Sequence, residues 1–204
     1  TWPRRPLSWA SVLALILVVG VVAPTAAELR IDITQGTVEP LPIAVTNFLG
    51  TTPDETRFGQ DISGVISADL ERSGLFRSID HQAFIQTAKS LNTLPRFGSW
   101  RVINAQALIQ GQAQVVEDGR LRVQFRLWDV FAEQQMEGLA YTAEKAGWRR
   151  VAHLIADAVY KRITGEDGYF DTRIVYIAQR GAPNRRVKRL AIMDQDGENH
   201  KFLT

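Results

Sequence analysis

The chain predicts an α/β domain, a mixed sheet with two main helices, followed by the first strands of a separate all-β unit. Three observations predict it. Two stretches repeat apolar residues at three- and four-residue spacing between a cap and a stop, at residues 52–74 and 148–165. A block at residues 109–127 alternates apolar and polar residues on both sides of a tight turn. After Tyr169 the helical period is lost, and short apolar runs are separated by turn residues.

In chain order, Arg4 and Arg5 precede an uncharged apolar run over residues 12–22, and Pro24-Thr25-Ala26-Ala27 closes the segment ahead of the first acid, Glu28. This is the pattern of a secretory signal peptide over residues 1–27, with small side chains at Thr25 and Ala27 for signal peptidase. The apolar run is too short for a membrane span of about 20 residues. Cleavage after Ala27 is expected, with the mature chain starting at Glu28. Residues 29–34 alternate like a half-buried strand and are stopped by Gly36, Pro40 and Pro42. Residues 43–49 form a mostly apolar run, ended by Gly50, suited to a buried strand. Thr52-Pro53-Asp54-Glu55 then gives an N-cap, a proline at the first helical position and a capping-box glutamate. Phe58, Ile62, Val65, Ile66 and Leu70 make that helix's apolar face, and Gly74 ends it. Gly59 and Gly64 weaken it and are expected to allow close packing.

Residues 75–79 predict a short strand, 81–88 a small helix, 90–95 a loop and 100–104 a helical turn. Ile109, Gly111, Ala113 and Val115 alternate with glutamines, Glu117-Asp118-Gly119 turns, and Leu121, Val123, Phe125 and Leu127 alternate with Gln124 and the arginines 120, 122 and 126. That is a hairpin with one buried face, extended as a meander by residues 136–143. Trp148, Val151, Ile155, Ala158, Val159 and Arg162 lie on one side of a second helix ending at Gly165. Strands over residues 173–179, 187–193 and 201–204 resemble part of one propeller blade, and one blade cannot bury its own faces. The domain division expected is 1–27 signal peptide, 28–165 α/β domain, and 166–204 linker and partial blade.

Composition limits the chemistry. No cysteine is present, which excludes disulfide scaffolds, thiol enzymes and zinc ribbons. Arg4 and Arg5 account for the excess of 24 basic over 22 acidic residues, so the expected mature chain is formally neutral and has no net cationic surplus for nucleic acid. His81, His153 and His200 stand far apart without metal-ligand spacing, and read as single surface or core histidines. The acidic turn at residues 194–198 imitates half a calcium loop without the remaining ligands, and reads as a β-turn. Arg120, Arg122 and Arg126 read as a solvated strand face, and Trp100, Trp128 and Trp148 as core or hinge packing. No nucleophile, phosphate-loop or zinc-protease motif occurs, so the residues support no enzymatic activity, cofactor or metal.

Several stretches together resemble the TolB family, periplasmic proteins of the Tol-Pal cell-envelope system: ELRIDITQG, EPLPIAV, DISGVISADLERSGLF, ALIQGQAQVVEDGRLRVQFRLWD, WRRVAHLIADAVYKRITGEDGYFDTRIVYI and RLAIMDQDG. The resemblance spans almost all of the expected mature chain. It implies an N-terminal α/β domain joined to a six-bladed β-propeller, of which these residues hold only the first strands. It also implies a non-enzymatic adaptor that couples TolA to the lipoprotein Pal, maintaining outer-membrane integrity and envelope constriction during cell division. In the family the propeller binds Pal, mostly beyond Thr204, and the segment after the signal peptide binds TolA. By position, the TolA segment maps to Glu28, Leu29, Arg30, Ile31, Asp32, Ile33, Thr34 and Gln35. The residues alone allow an ordinary first strand there, or a strand that adds to a sheet edge through main-chain hydrogen bonds. The alternative reading is a propeller-containing periplasmic hydrolase or solute-binding protein, which downstream Ser, Asp and His residues would mark.

Overall fold

The computed structural model describes Leu29, residues 39–86 and residues 90–204. The expected signal peptide, and the expected first strand apart from Leu29, lie outside the described residues. Among the described residues eight strands form two sheets: β1 (Leu41–Val45), β2 (Phe76–Ser78), β3 (Ala107–Val115), β4 (Leu121–Asp129) and β5 (Gln134–Ala143), then β6 (Arg173–Arg180), β7 (Val187–Asp194) and β8 (Lys201–Phe202). The helices are α1 (Pro53–Arg72), α2 (Phe97–Val102) and α3 (Trp148–Thr164). The first sheet has the order β2-β1-β3-β4-β5, parallel across β2-β1-β3 and antiparallel across β3-β4-β5; the second is the antiparallel set β6-β7-β8.

α1 starts where its capping box demands. The Thr52 hydroxyl accepts from the Glu55 amide, and the Glu55 carboxylate accepts from the amides of Thr51 and Thr52. The other Glu55 oxygen accepts the Val115 amide at 2.7 Å, so one side chain ties the helix start to the end of β3. That bond, joined by the capping amides, outweighs burial and holds the carboxyl below its usual pKa. A folded-state pKa below the unfolded value contributes stability above that unfolded value, and the contribution is lost as pH falls through the folded pKa. Glu55→Ala is expected to cost about 2 kcal/mol in urea denaturation, for a lost cap plus a buried amide left unpaired. The difference between variant and parent should shrink in acid.

The two long helices pack side by side on one face of the first sheet. Ile62, Ile66 and Leu70 of α1 and Val151, Ile155, Val159 and Ile163 of α3 meet Ile43, Ile109, Val123 and Phe125 there, all buried. On the other face, Phe97 and Trp100 of α2 cover Ala44, Leu108 and Trp128. The hairpin register is as the alternation requires, with Ile109 opposite Leu127 and Ala113 opposite Val123, and Gly119 turns it with a φ of 83°. α3 ends on Gly165 at a φ of 82°, with the Gly165 amide returning to the Lys161 carbonyl at 2.8 Å.

Several expectations are corrected. The apolar run expected as a strand over residues 43–49 is a strand over Leu41–Val45, and Leu49 makes only an isolated bridge to Gln112. Pro42 lies inside the strand because its missing donor would face the side of β3, where pairing begins only at Ile43 opposite Ala107; its carbonyl still accepts the Gln106 amide. The small helix expected over residues 81–88 is a single 3₁₀ turn, His81–Ala83, capped by Asp80, and residues 87–89 lie outside the described residues. The turn expected at 100–104 is α2, three residues earlier. The buried stripe of α3 is wider than expected: Ala152, His153, Ala156 and Tyr160 are buried, whereas Arg162 is not.

Candidate functional site

Of the residues assigned to the TolA segment, Glu28, Arg30, Ile31, Asp32, Ile33, Thr34 and Gln35 lie outside the described residues. Leu29 is described, and it packs half-buried against the main core. It lines a groove of about 460 Å³ between β5 and α3, whose other walls are Glu137, Leu139, Ala158, Lys161, Arg162 and Gly165. Among the described residues β5 is an outer strand of the sheet, paired with β4. The outer side of an edge strand carries main-chain donors and acceptors that can pair with a further strand. Leu139 is exposed on this strand, and Lys161 above it pairs with Asp167 at 2.6 Å. Arg162 donates from Nε to the Met136 carbonyl at 2.9 Å, fixing α3 against β5. The groove is lined by apolar Leu29, Leu139 and Ala158 and by charged Glu137, Lys161 and Arg162, which suits an amphipathic extended segment.

A second arrangement lies where the two sheets meet. Asp157 of α3 accepts the amides of Phe170 at 2.7 Å and Asp171 at 3.1 Å, shaping the connection between α3 and β6. Burial pushes the Asp157 carboxyl up, and those two amides only partly oppose it. Phe170 is fully buried in the α/β core, with its ring edge-on to Tyr160. Arg150 forks onto Asp171 at 3.1 Å. The adjacent Arg149 donates from Nε at 3.0 Å and from Nη2 at 2.5 Å to Asp196, in the turn between β7 and β8. His153 sits beneath this pair with Nδ1 2.6 Å from Asp69 of α1.

The three histidines are indeed separate from one another. His81 stacks on Phe84, His200 lies between Tyr176 and Phe202, and only His153 is buried. The acidic turn is a β-turn with Gly197 at a φ of 89°, and the Asn199 side-chain amide donates to the Asp194 carboxylate at 2.5 Å. Of the arginine face, Arg120 pairs with Asp118 and Arg126 donates to Asn92. Trp100 and Trp128 are core, as expected. The sequence reading missed the meeting of Asp69, His153 and Asp196. Its available signal was a pair of polar residues, Asp69 and His153, on the apolar faces of the two helices. Among the described residues no helix is long and apolar enough to cross a membrane.

The sequence pattern of the TolB amino-terminal domain matches residues 29–136. The chain is 59% identical over 190 residues to the Tol-Pal system protein TolB of Paramagnetospirillum magneticum, an alignment covering 93% of this chain and 42% of that protein. The chain thus spans well under half the length of that relative. Its fold matches the crystal structure of TolB from Acinetobacter baumannii with a TM-score of 0.68 at 24% identity, over 87% of this chain and 41% of that one.

Proposed function

Because the chain belongs to the TolB family, we propose that it is a non-enzymatic periplasmic adaptor of the Tol-Pal system, coupling TolA to Pal to maintain outer-membrane integrity and envelope constriction during division. The observation that carries this reading is the 59% identity to a Tol-Pal system protein TolB. The signal-peptide pattern of residues 1–27 supports export and removal of that segment after Ala27. The division into residues 28–165 as the adaptor's α/β domain and 166–204 as a linker and partial first propeller blade belongs to the same proposal, with Pal bound mainly by the propeller.

TolA is taken by residues 28–35. Alternating Leu29, Ile31 and Ile33 give this segment one apolar edge for strand addition, and Gly36 with the prolines at 40 and 42 isolates it from β1. Leu29 lines the β5-α3 groove, which supports an anchor point for this residue at the domain surface. The segment exchanges between its own protein and TolA. A propeller ligand that favours the released state raises TolA affinity by a coupling of about 1 to 3 kcal/mol.

Deleting residues 28–35 from the full-length protein is expected to abolish TolA binding in calorimetric titration. Pal binding and the melting temperature of the α/β domain should change little. TolA binding at unchanged affinity would overturn the assignment, and a collapse of domain stability would show that the segment is a structural first strand.

A further inference from the structure

We propose that His153 is a proton-operated latch between the α/β domain and the antiparallel sheet. Its side chain is 2% exposed and stands between two carboxylates from different units: Asp69 of α1, 0% exposed, and Asp196 of the β7-β8 turn, 3% exposed. Nδ1 lies 2.6 Å from Asp69, which fixes the tautomer with a proton on that nitrogen. Nε2 is buried without a hydrogen-bond partner and faces Asp196 at 3.6 Å. With a second proton, Nε2 presents an N–H toward that carboxylate. Without it, a lone pair faces an anion, and attraction becomes repulsion. The proton on Nε2 therefore acts on the contact that joins the two sheets.

The surrounding charges leave this proton in control. On α1, Asp69 is also held by Arg72 at 2.8 Å. On the histidine's own helix, Arg149 occupies Asp196, Arg150 is engaged with Asp171, and Asp157 lies one turn on. From the second sheet, Arg173 faces Asp194 at 3.5 Å, and Lys201 lines, together with His153, a cleft between α3 and that sheet. The Arg149 contact to Asp196 provides a constant link and His153 a variable one.

The cluster suits a proton better than a metal ion. The donor atoms of Asp69, His153 and Asp196 fall within 4.8 Å of one another. However, the two carboxylates address opposite nitrogens of the ring, and Asp196 already receives two N–H groups from Arg149. One cation could reach both carboxylates only by displacing the hydrogen bond and the guanidinium.

Burial alone would lower the His153 pKa, but the hydrogen bond and charge of Asp69, with the charge of Asp196, outweigh it and Arg149, leaving the value raised above 6.5. A raised folded-state value means that the added contact is complete below the ordinary histidine range and is lost as pH climbs through the folded pKa. At the acid end, burial raises the Asp196 carboxyl, yet the Glu198 amide and Arg149 hold it below its ordinary 3.8. The latch therefore stays engaged down to the pH at which Asp196 itself takes a proton.

The test follows His153 by NMR titration and the 194–199 turn by amide exchange, corrected for intrinsic pH dependence, in the full-length protein. Between pH 6 and pH 8.5 the turn should lose protection several-fold while β3 and β4 do not change. In Asp196→Asn the pH step should disappear, and the proton affinity of His153 should fall about threefold or more. His153→Gln, checked by circular dichroism for folding, should abolish the pH step in the turn, because the glutamine amide does not titrate. Identical His153 titration in the parent and Asp196→Asn would overturn the proposal. So would a turn whose protection does not respond to pH in the parent.

Discussion

Phe170→Ala should remove about 4 kcal/mol from the stability of the α/β domain, the range expected when a buried phenylalanine is cut to a methyl group. The ring is fully buried and belongs to the main core, although its chain position is beyond the end of α3. It meets Tyr160 edge-on at 5.7 Å and Tyr169 at 4.7 Å, contacts that alanine loses entirely. The Asp157 carboxylate would still receive the amide of residue 170, so the connection keeps its path around an emptied cavity. The same reasoning ranks truncated chains. A piece ending at Gly165 lacks this ring and should melt earlier, by a comparable free energy, than one ending at Thr172. Thermal and urea denaturation of the substitution and the two pieces would check the claim. Equal stability of the two pieces would show that Phe170 contributes nothing to the core it occupies.

Gly59 and Gly64 should respond to alanine with opposite signs, although both lie in the same helix. A Cβ at Gly59 would stand 2.1 Å from the carbonyl oxygen and 2.8 Å from the carbonyl carbon of Phe48, which are main-chain atoms that cannot rotate away. The Phe48 amide also donates to the Gly59 carbonyl at 3.3 Å, so the two backbones are held together at this point. Gly59→Ala must push α1 off the chain that follows β1, at a cost of about 3 kcal/mol, the upper part of the range for overpacking. A Cβ at Gly64 meets nothing within 4 Å. Gly64→Ala should therefore raise stability by about 0.5 to 1 kcal/mol through helix propensity alone. Urea denaturation of both variants decides the matter, and a Gly59→Ala protein as stable as the parent would show that the helix approach is slack.

These two glycines also mark what the sequence could show. Glycine inside an amphipathic helix signals close approach or nothing, and only the position of Phe48 tells Gly59 from Gly64. The capping box at Thr52 and Glu55, the Asp118-Gly119 turn and the αL glycine at 165 were legible because each rests on neighbours in sequence. The meander was legible for the same reason, since strict alternation and a short turn fix its register. The order β2-β1-β3 was not, because parallel pairing joins segments separated by whole helices and leaves no local pattern. Pro42 misled for a related reason: whether a missing donor matters depends on which neighbour stands beside it. The Asp69-His153-Asp196 cluster draws on two helices and a turn, so its residues carry no common spacing. The segment from 28 to 35 was singled out by family resemblance and terminal position, and apart from Leu29 its placement lies outside the described residues.

The mixed pairing of the first sheet also bears on the order of folding. β3, β4 and β5 are joined by short turns, so their closure costs little chain entropy. β1 must find β3 across α1, β2 and α2, and it is held on both sides only by parallel partners. Such long-range pairing gains its contacts late. The meander should be the early nucleus, and β1 the last strand to lock. Substitutions at Val123 or Phe125 should slow refolding, whereas Ile43→Val should act mainly by speeding unfolding.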